Sequence, residues 1–229
     1  MIDTIGTHPN SSGLGDVLLL TAVCKHFPNL VVQLHPNCSK FSFLFNRLCK
    51  RVELTETPIH TKGVYIENGT YSQYMLKEFG YEGEDSIPFV FTDTEKYLKA
   101  KKKIEHIKNP IIVKFNCAPR WKHVREYDVS KFQNEIDKLI EQKYTPIQTG
   151  TSDNFTSMKG CITMIDLELE DLCALYKAVG IYFGTDTGDF HLMLAVGGSC
   201  TVICPKLPSI DYDPNQFVHK TSRVTRKIL

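Results

Sequence analysis

The chain has 229 residues, of which 42% are hydrophobic and 23% are charged. This composition is typical of a folded globular protein and excludes a disordered chain. The 27 basic and 26 acidic residues leave a net charge of +1, so neither nucleic acid nor an anionic membrane is expected as the main partner. The length allows one large domain or two smaller domains with separate cores.

Strands and helices alternate along the first half of the sequence. The expected strands are DTIGTH, LVVQLH, RVELTE and GVYIEN, and IPFVFTD is expected to be extended. Helices are predicted over Asp16 to Phe27, over KFSFLFNRLCK, over SQYMLKEFGY as far as Gly80, and over EKYLKAKKKIEHI with a cap from the preceding Thr-Asp-Thr-Glu. The following Asn109-Pro110 is typical of a boundary.

The same alternation restarts after this boundary. Strands are predicted at IIVKF, TPIQTG, CITMI, GIYFG and CTVICP, and helices at DVSKFQNEIDKLIEQK, LELEDLCALYKAV and GDFHLMLAVG. The last residues, HKTSRVTRKIL, are locally basic. They are expected to form either a solvated, frayed tail or a segment that lines a site and faces phosphate.

This order of elements predicts an α/β fold with parallel sheets and right-handed crossovers. Because the alternation is interrupted once, we expect two Rossmann-like lobes that face a cleft. The N-terminal, acceptor-side domain would cover residues 1–109, and the C-terminal, nucleotide-sugar-binding domain with the tail would cover residues 110–229. Ligands of such sheets bind beyond the carboxyl ends of the strands.

The cysteines and the first residues of the sequence help to predict the cellular compartment of the protein. The eight cysteines include no C-x-x-C pair, which argues against a structural zinc site. The opening MIDTIGTHPN does not have the pattern of a signal peptide. No apolar run reaches the roughly 20 residues that cross a bilayer. We therefore expect a cytoplasmic protein without an integral membrane segment.

The segment SSGLGDVLLL is the first that combines a turn with chemically useful residues. Gly13 and Gly15 would let the backbone approach a ligand closely. Asp16 would stand at the start of a helix, whose N–H groups attract anions. Two roles are open for Asp16, because aspartate is a common N-cap and because a carboxylate at a cleft can accept a hydroxyl proton.

The second segment, NCAPRWKHVREYD, follows the predicted strand IIVKF. Four of its side chains are basic, namely Arg120, Lys122, His123 and Arg125. Such a cluster directly after a buried strand would clamp a diphosphate. The alternative is an ordinary charged loop in solvent.

The third segment is GTDTGDFHLMLAVGG. A buried strand leads into Thr185, Asp186, Thr187 and Gly188, and an apolar helix follows with His191 in its first turn. Asp186 or Thr187 would cap this helix, whose N–H groups would face a ligand at the strand ends. Taken alone, His191 would be a buried core histidine or a ligand contact.

Together these three segments resemble the ADP-heptose:lipopolysaccharide heptosyltransferase family, glycosyltransferase family 9. The family pattern D-[ST]-G-x-x-H is matched by Asp186, Thr187, Gly188 and His191, with a small-residue-rich helix and an apolar strand behind it. The N-terminal Gly-Asp and the Lys-His of the second segment also match, in the right order. The resemblance covers most of the chain and implies a GT-B-like fold.

The resemblance also implies roles for individual residues. Asp16 corresponds to the acid that acts as general base on the acceptor hydroxyl, and Lys122 to a lysine that contacts the donor's phosphates. The turn and helix start at residues 185–191 correspond to the part that holds the nucleoside diphosphate. The implied reaction is inverting transfer from a nucleotide sugar, with an ADP-sugar as the expected donor, a saccharide or other hydroxyl acceptor, and neither a metal nor a cofactor.

Three departures from the family pattern are visible. Asp189 stands where the family usually has a proline, THPNSS lengthens the first loop, and the chain is short for the family. A smaller acceptor or another nucleotide sugar is therefore as compatible as a heptose donor and lipopolysaccharide. Other functions stay open, namely a non-catalytic nucleotide or nucleotide-sugar binding protein, and a sugar-nucleotide epimerase or hydrolase. A dehydrogenase fits least, because no G-x-G-x-x-G follows the first strand.

Overall fold

A computed structural model describes residues 3–7, 13–59, 70–117, 128–204, 219 and 221–228. These residues form two compact units. Unit 1 comprises the described residues up to Phe91 together with His219, and unit 2 comprises those from Thr92 to Cys204 together with residues 221–228. Over these described ranges, no helix is long and apolar enough to cross a bilayer.

Unit 1 contains a parallel sheet of three strands, in the order β1-β2-β3. Its elements are β1 (Thr4–Gly6), α1 (Leu14–His26), β2 (Val31–Leu34), a 3-10 helix (Pro36–Phe45), β3 (Arg51–Leu54) and α2 (Tyr71–Glu78). Helix α1 is apolar along most of its length, and its residues Val17 to Cys24 are all buried. The predicted strand GVYIEN lies outside the described residues, and IPFVFTD forms no strand.

Unit 2 contains a parallel sheet of six strands. Its elements are α3 (Thr94–Ile104), β4 (Pro110–Lys114), α4 (Val129–Glu141), β5 (Thr145–Gly150), a 3-10 turn (Ser152–Asn154), β6 (Ile162–Ile165), α5 (Leu169–Val179), β7 (Ile181–Thr185), α6 (Gly188–Ala195), β8 (Ser199–Cys204) and β9 (Val224–Ile228). The strand order β6-β5-β4-β7-β8-β9 is that of a doubly wound Rossmann sheet. The order reverses between β4 and β7, which form the topological switch point.

The side chains of β4 alternate between the two faces of this sheet. Ile111, Val113 and Phe115 belong to one apolar cluster with Phe132 of α4. Ile112 and Lys114 point to the opposite face. Lys114 is therefore a charged residue at a core-facing position, at the last residue of its strand.

The second unit begins earlier than the boundary that we expected after residue 109. Helix α3 packs against α5, and Lys96 of α3 forms ion pairs with Glu170 (3.2 Å) and Asp171 (2.9 Å) of α5. These contacts join α3 to unit 2. The sequence signal at Asn109 marks the turn into β4, where Asn109 has a φ of 46°.

The basic tail contains a strand, so the prediction of a solvated, frayed tail is wrong for residues 224–228. Strand β9 pairs in parallel with β8 over its whole length. Lys227 of β9 and Lys138 of α4 both bond the buried carboxylate of Glu135. Burial by itself raises the pKa of Glu135, but the bonds from the two lysines outweigh burial and leave the pKa below its usual value.

Candidate nucleotide site and candidate base

The carboxyl ends of β4 and β7 meet at the switch point of unit 2. Lys114 is paired with Gly184 across the two strands. A Cβ on Gly184 would collide with the carbonyl oxygen of Lys114 and lie 2.9 Å from its backbone nitrogen. The glycine is therefore required by the close approach of the strands. Ligands of doubly wound sheets bind at such a point.

Hydrogen bonds from both strands fix the turn that follows β7. The Thr185 hydroxyl donates to the carbonyl oxygen of Phe115 at 3.1 Å, and the Tyr182 hydroxyl donates to the carbonyl oxygen of Thr185 at 2.7 Å. Thr185 is fully buried, and Asp186 is only 1% exposed. The residue from which the turn starts is therefore anchored to both strands where the sheet order reverses.

Helix α6 begins after this turn, with Thr187 as the N-cap residue. The backbone of Thr187 has the extended conformation of a cap, but its side chain makes no capping hydrogen bond. The Thr187 hydroxyl donates to Oδ2 of Asp189 at 3.4 Å. The predicted helix start is confirmed, while the alternative of a side-chain cap from Thr187 is wrong.

His191 lies in the first turn of α6 and is 6% exposed. Its Nε2 atom lies 3.7 Å from Oδ1 of Asp186, and its ring contacts the ring of Phe190 at a centroid distance of 4.7 Å. Asp186 and His191, the first and last residues of the D-[ST]-G-x-x-H pattern, thus lie close together in the fold.

Asp189 belongs to a buried polar network. The Tyr176 hydroxyl donates to Oδ1 of Asp189 at 2.6 Å and bonds the Thr149 hydroxyl at 2.8 Å. The ammonium group of Lys114 lies 3.8 Å from Oδ2 of Asp189. Burial raises the pKa of Tyr176, and the neighbouring carboxylate of Asp189 raises it further, so the phenol keeps its proton and remains a donor.

Sequence reasoning missed three side chains at this edge, namely Lys114, Asn116 and Tyr176. Asn116 follows β4, accepts a hydrogen bond from the backbone N–H of Thr156 (2.9 Å) and donates to its hydroxyl (3.1 Å). A charged residue at a core-facing strand position is the signal that marks Lys114. No comparable signal marks Tyr176, which has the spacing of an ordinary core residue.

Gly13, Gly15 and Asp16 lie in unit 1, at the start of α1. The helix begins at Leu14 with Gly13 as its N-cap. The prediction that Asp16 caps the helix is wrong, because the helix starts two residues earlier than expected. Asp16 is instead the third helical residue, where the helix dipole favours a carboxylate. It is half-buried.

The charge of Asp16 acts on two other titratable side chains. Burial raises the pKa of Tyr71, and the charge of Asp16 raises it further. Burial also raises the pKa of the Cys38 thiol, with an opposing effect of Lys40 and a reinforcing effect of Asp16. Beside Tyr71, Ser72 Oγ lies 3.5 Å from Nδ1 of the buried His219. The charge of Asp16 therefore reaches Tyr71, the first residue of α2.

A cavity of about 670 Å³ in unit 1 lies elsewhere. It is lined by Asp3 and Leu30, which immediately precede β1 and β2, and by Phe27 and Phe79. These residues mark the amino ends of the strands. The cavity is therefore at the opposite end of the sheet from the edge where α/β proteins bind their ligands.

Arg120 and Lys122, the expected phosphate contacts, lie outside the described residues. Their predicted roles stay predictions. Within the described ranges, no group of three or more histidine, cysteine, aspartate or glutamate side chains is arranged to hold a metal ion, and each of the eight cysteines is a free thiol.

Solved structures with the same fold are glycosyltransferases. A glycosyl transferase of family 9 from Veillonella parvula DSM 2008 superimposes with a TM-score of 0.76 at 9% identity, covering 99% of this chain and 85% of the other. The ADP-heptose lipopolysaccharide heptosyltransferase II of E. coli gives a TM-score of 0.70 at 9% identity, covering 98% and 90%.

A third similar structure is the E. coli heptosyltransferase WaaC with ADP, with a TM-score of 0.59 at 9% identity and coverage of 98% and 92%. No protein-family model and no curated protein matches the sequence. The resemblance drawn from the three sequence segments is thus confirmed at the level of the fold. The chain has the GT-B-like α/β fold of the family 9 glycosyltransferases.

Proposed function

We propose that this protein is an inverting glycosyltransferase that moves a sugar from a nucleoside diphosphate donor to an acceptor hydroxyl. The observation that carries the proposal is the buried Thr185–Gly188 turn, which leads into α6 at the switch point of a doubly wound sheet. A helix start at a switch point, without a capping bond from the side chain of its N-cap residue Thr187, suits a nucleoside diphosphate. The expected donor is an ADP-sugar, since a solved structure of similar fold holds ADP.

The donor would be held by the segment from Thr185 to His191, with Arg120 and Lys122 as further phosphate contacts. Backbone N–H groups at the start of α6 would hydrogen-bond to the diphosphate, and they would stabilise the charge that develops on it as the leaving group. By the resemblance, no metal takes part. Gly13 and Gly15 would let the donor or acceptor approach the backbone at the start of α1.

Asp16 would act as the general base. Its carboxylate would take the proton of the acceptor hydroxyl while the hydroxyl oxygen attacks the anomeric carbon. The bond between that carbon and the diphosphate oxygen would break, so that the nucleoside diphosphate leaves and the configuration inverts.

Asp16→Asn tests the assigned base, because the substitution keeps the size of the side chain and removes its charge. Nucleotide-sugar binding is measured by calorimetry and transfer by mass spectrometry, with a panel of hydroxyl acceptors. We expect unchanged donor affinity and a loss of transfer of about 100-fold or more. Asp3→Asn is the control for a lost acidic charge elsewhere in unit 1. Full transfer by Asp16→Asn would show that another group is the base.

A second candidate function is a binding protein without transferase activity. It is favoured by Asp189, whose carboxylate adds negative charge beside the proposed diphosphate site. Tight binding of a nucleotide sugar with neither transfer nor hydrolysis would support this alternative. Release of free sugar from the donor in water would instead indicate a hydrolase. The cytoplasmic location expected from the sequence stays a prediction.

A further inference from the structure

Lys114 occupies an unusual place in unit 2. Its side chain is on the core-facing side of β4, in the same orientation as the buried Ile112, and is 13% exposed. Burying an ammonium group is unfavourable unless it has a partner of opposite charge. The contacts of Lys114 must therefore account for its position at the end of a central strand.

Among the described residues, the ammonium group has one ion-pair partner, Asp189. Oδ2 of Asp189 lies 3.8 Å away, which is longer than a hydrogen bond. A Cβ on Gly150 would lie 3.5 Å from the same nitrogen, so the ammonium group lies over the end of β5. Within the described part of the chain, Lys114 makes no side-chain hydrogen bond, although an ammonium group has three donors.

Asp189 is stabilised by other groups. One of its carboxylate oxygens accepts the hydroxyl of Tyr176 (2.6 Å), and the other accepts the hydroxyl of Thr187 (3.4 Å). These neutral donors and the start of α6 stabilise the carboxylate. The contact with Lys114 therefore holds the ammonium group in place without occupying its hydrogen-bond donors.

We propose that Lys114 is an additional cationic contact for the donor's diphosphate, and that Asp189 positions it. The inference rests on the proposed function and adds a phosphate contact outside the D-[ST]-G-x-x-H pattern and outside the basic segment after β4. It also gives a role to Asp189, the residue that departs from the family pattern. Because Lys114 lies at the switch point, its donors would reach an anion at the ends of β4 and β5.

Two substitutions test this proposal by calorimetry with ADP and, separately, with adenosine. Lys114→Gln keeps a polar contact to Asp189 but removes the positive charge, while Lys114→Arg keeps the charge. A lost charge-assisted hydrogen bond corresponds to about 10- to 100-fold in affinity. We expect a loss of that size for ADP in Lys114→Gln, a smaller loss in Lys114→Arg, and unchanged adenosine binding in both. Lys101→Gln, an exposed lysine of α3, is the matched control.

A second measurement does not depend on the stability of the Gln variant. In wild-type protein labelled with nitrogen-15 lysine, the Lys114 ammonium signal is assigned by its loss in Lys114→Arg. We expect ADP, and not adenosine, to shift this signal.

The outcomes distinguish the inference from the function on which it rests. Equal ADP affinity of wild type and Lys114→Gln, or a Lys114 signal that ADP leaves unmoved, would overturn the inference while leaving the nucleotide site intact. Equal losses for ADP and adenosine would also overturn it, because they would mean a structural role. Failure of the wild type to bind any nucleoside diphosphate would overturn the proposed function itself.

Discussion

Helices α4 and α6 of unit 2 begin in different ways, although aspartates flank both starts. Asp128 precedes α4, and its carboxylate accepts hydrogen bonds from the backbone N–H groups of Ser130 (2.8 Å) and Lys131 (3.2 Å). At α6 the N-cap is Thr187, without a side-chain cap. Asp189, in the first turn of α6, bonds a tyrosine of another helix.

The difference shows how one residue type serves two purposes. The aspartate before α4 is exposed and satisfies the N–H groups of its own helix, so it stabilises that helix locally. Of the two aspartates beside α6, Asp186 is buried next to His191 of the same helix. Asp189 is partly buried and contacts side chains of other elements, namely Tyr176 of α5 and Lys114 of β4. The start of α6 is thus held by tertiary contacts, and its N–H groups receive no bond from the cap side chain, which suits an anion-binding site.

Gly184→Ala should have the largest effect on the strands that lead to α6. The added Cβ would meet the backbone of Lys114, so β4 and β7 would have to separate. We expect a loss of about 3 kcal/mol in the free energy of unfolding, measured by urea denaturation. Gly150→Ala is the control, because its Cβ would meet only side chains of Phe155 and Lys114. A loss in Gly150→Ala as large as in Gly184→Ala would contradict the explanation.

Tyr176→Phe should have the next largest effect. The substitution removes the donor that lies 2.6 Å from Asp189 and leaves a largely buried carboxylate oxygen with one bond fewer. We expect unfolding free energy to fall by about 2 kcal/mol, as measured by urea denaturation. Tyr144→Phe is the matched control, since Tyr144 makes no side-chain hydrogen bond to other described residues. A neutral result for Tyr176→Phe would mean that Asp189 does not need this donor.

Asp128→Ala removes the side-chain cap of α4 and should have the smallest effect on stability. This effect should depend on pH. The hydrogen bonds from Ser130 and Lys131 lower the pKa of Asp128 in the folded state. Its contribution to stability is therefore present above the unfolded-state pKa of 3.8 and lost as the pH falls through the lower folded-state value. Thermal midpoints of variant and wild type should differ at pH 7 and converge in strong acid, while nucleotide affinity at pH 7 stays the same.

Much of unit 2 could be predicted from the sequence because its elements are long and periodic. The apolar runs of β4, β7 and β8 and the capping residue of α3, Asp93, carry strong local signals. Strand β9 could not be predicted in the same way. Only Val224 and Ile228 are apolar in it, and its pairing with β8 is a contact between segments that are distant in the sequence.

The position of the candidate site could be predicted from its sequence pattern, but the contacts between its side chains could not. The sequence placed Thr185 to His191 after a buried strand, and the structure shows that position. It could not indicate that α1 begins at Leu14, because Gly13 and Gly15 permit either start. Nor could it pair Asp189 with Tyr176 or Lys114, since these residues come from three elements that meet only in the folded sheet.

The last strand has a practical consequence for work with fragments of this protein. Because β9 covers the outer edge of β8, removing everything after Cys204 would leave a row of unpaired peptide groups exposed along β8, and such edges promote intermolecular pairing and aggregation. The same deletion would remove His219, which unit 1 buries beside Ser72. A fragment that ends at Phe91 therefore lacks part of unit 1, and a fragment that ends at Cys204 lacks the last strand of unit 2.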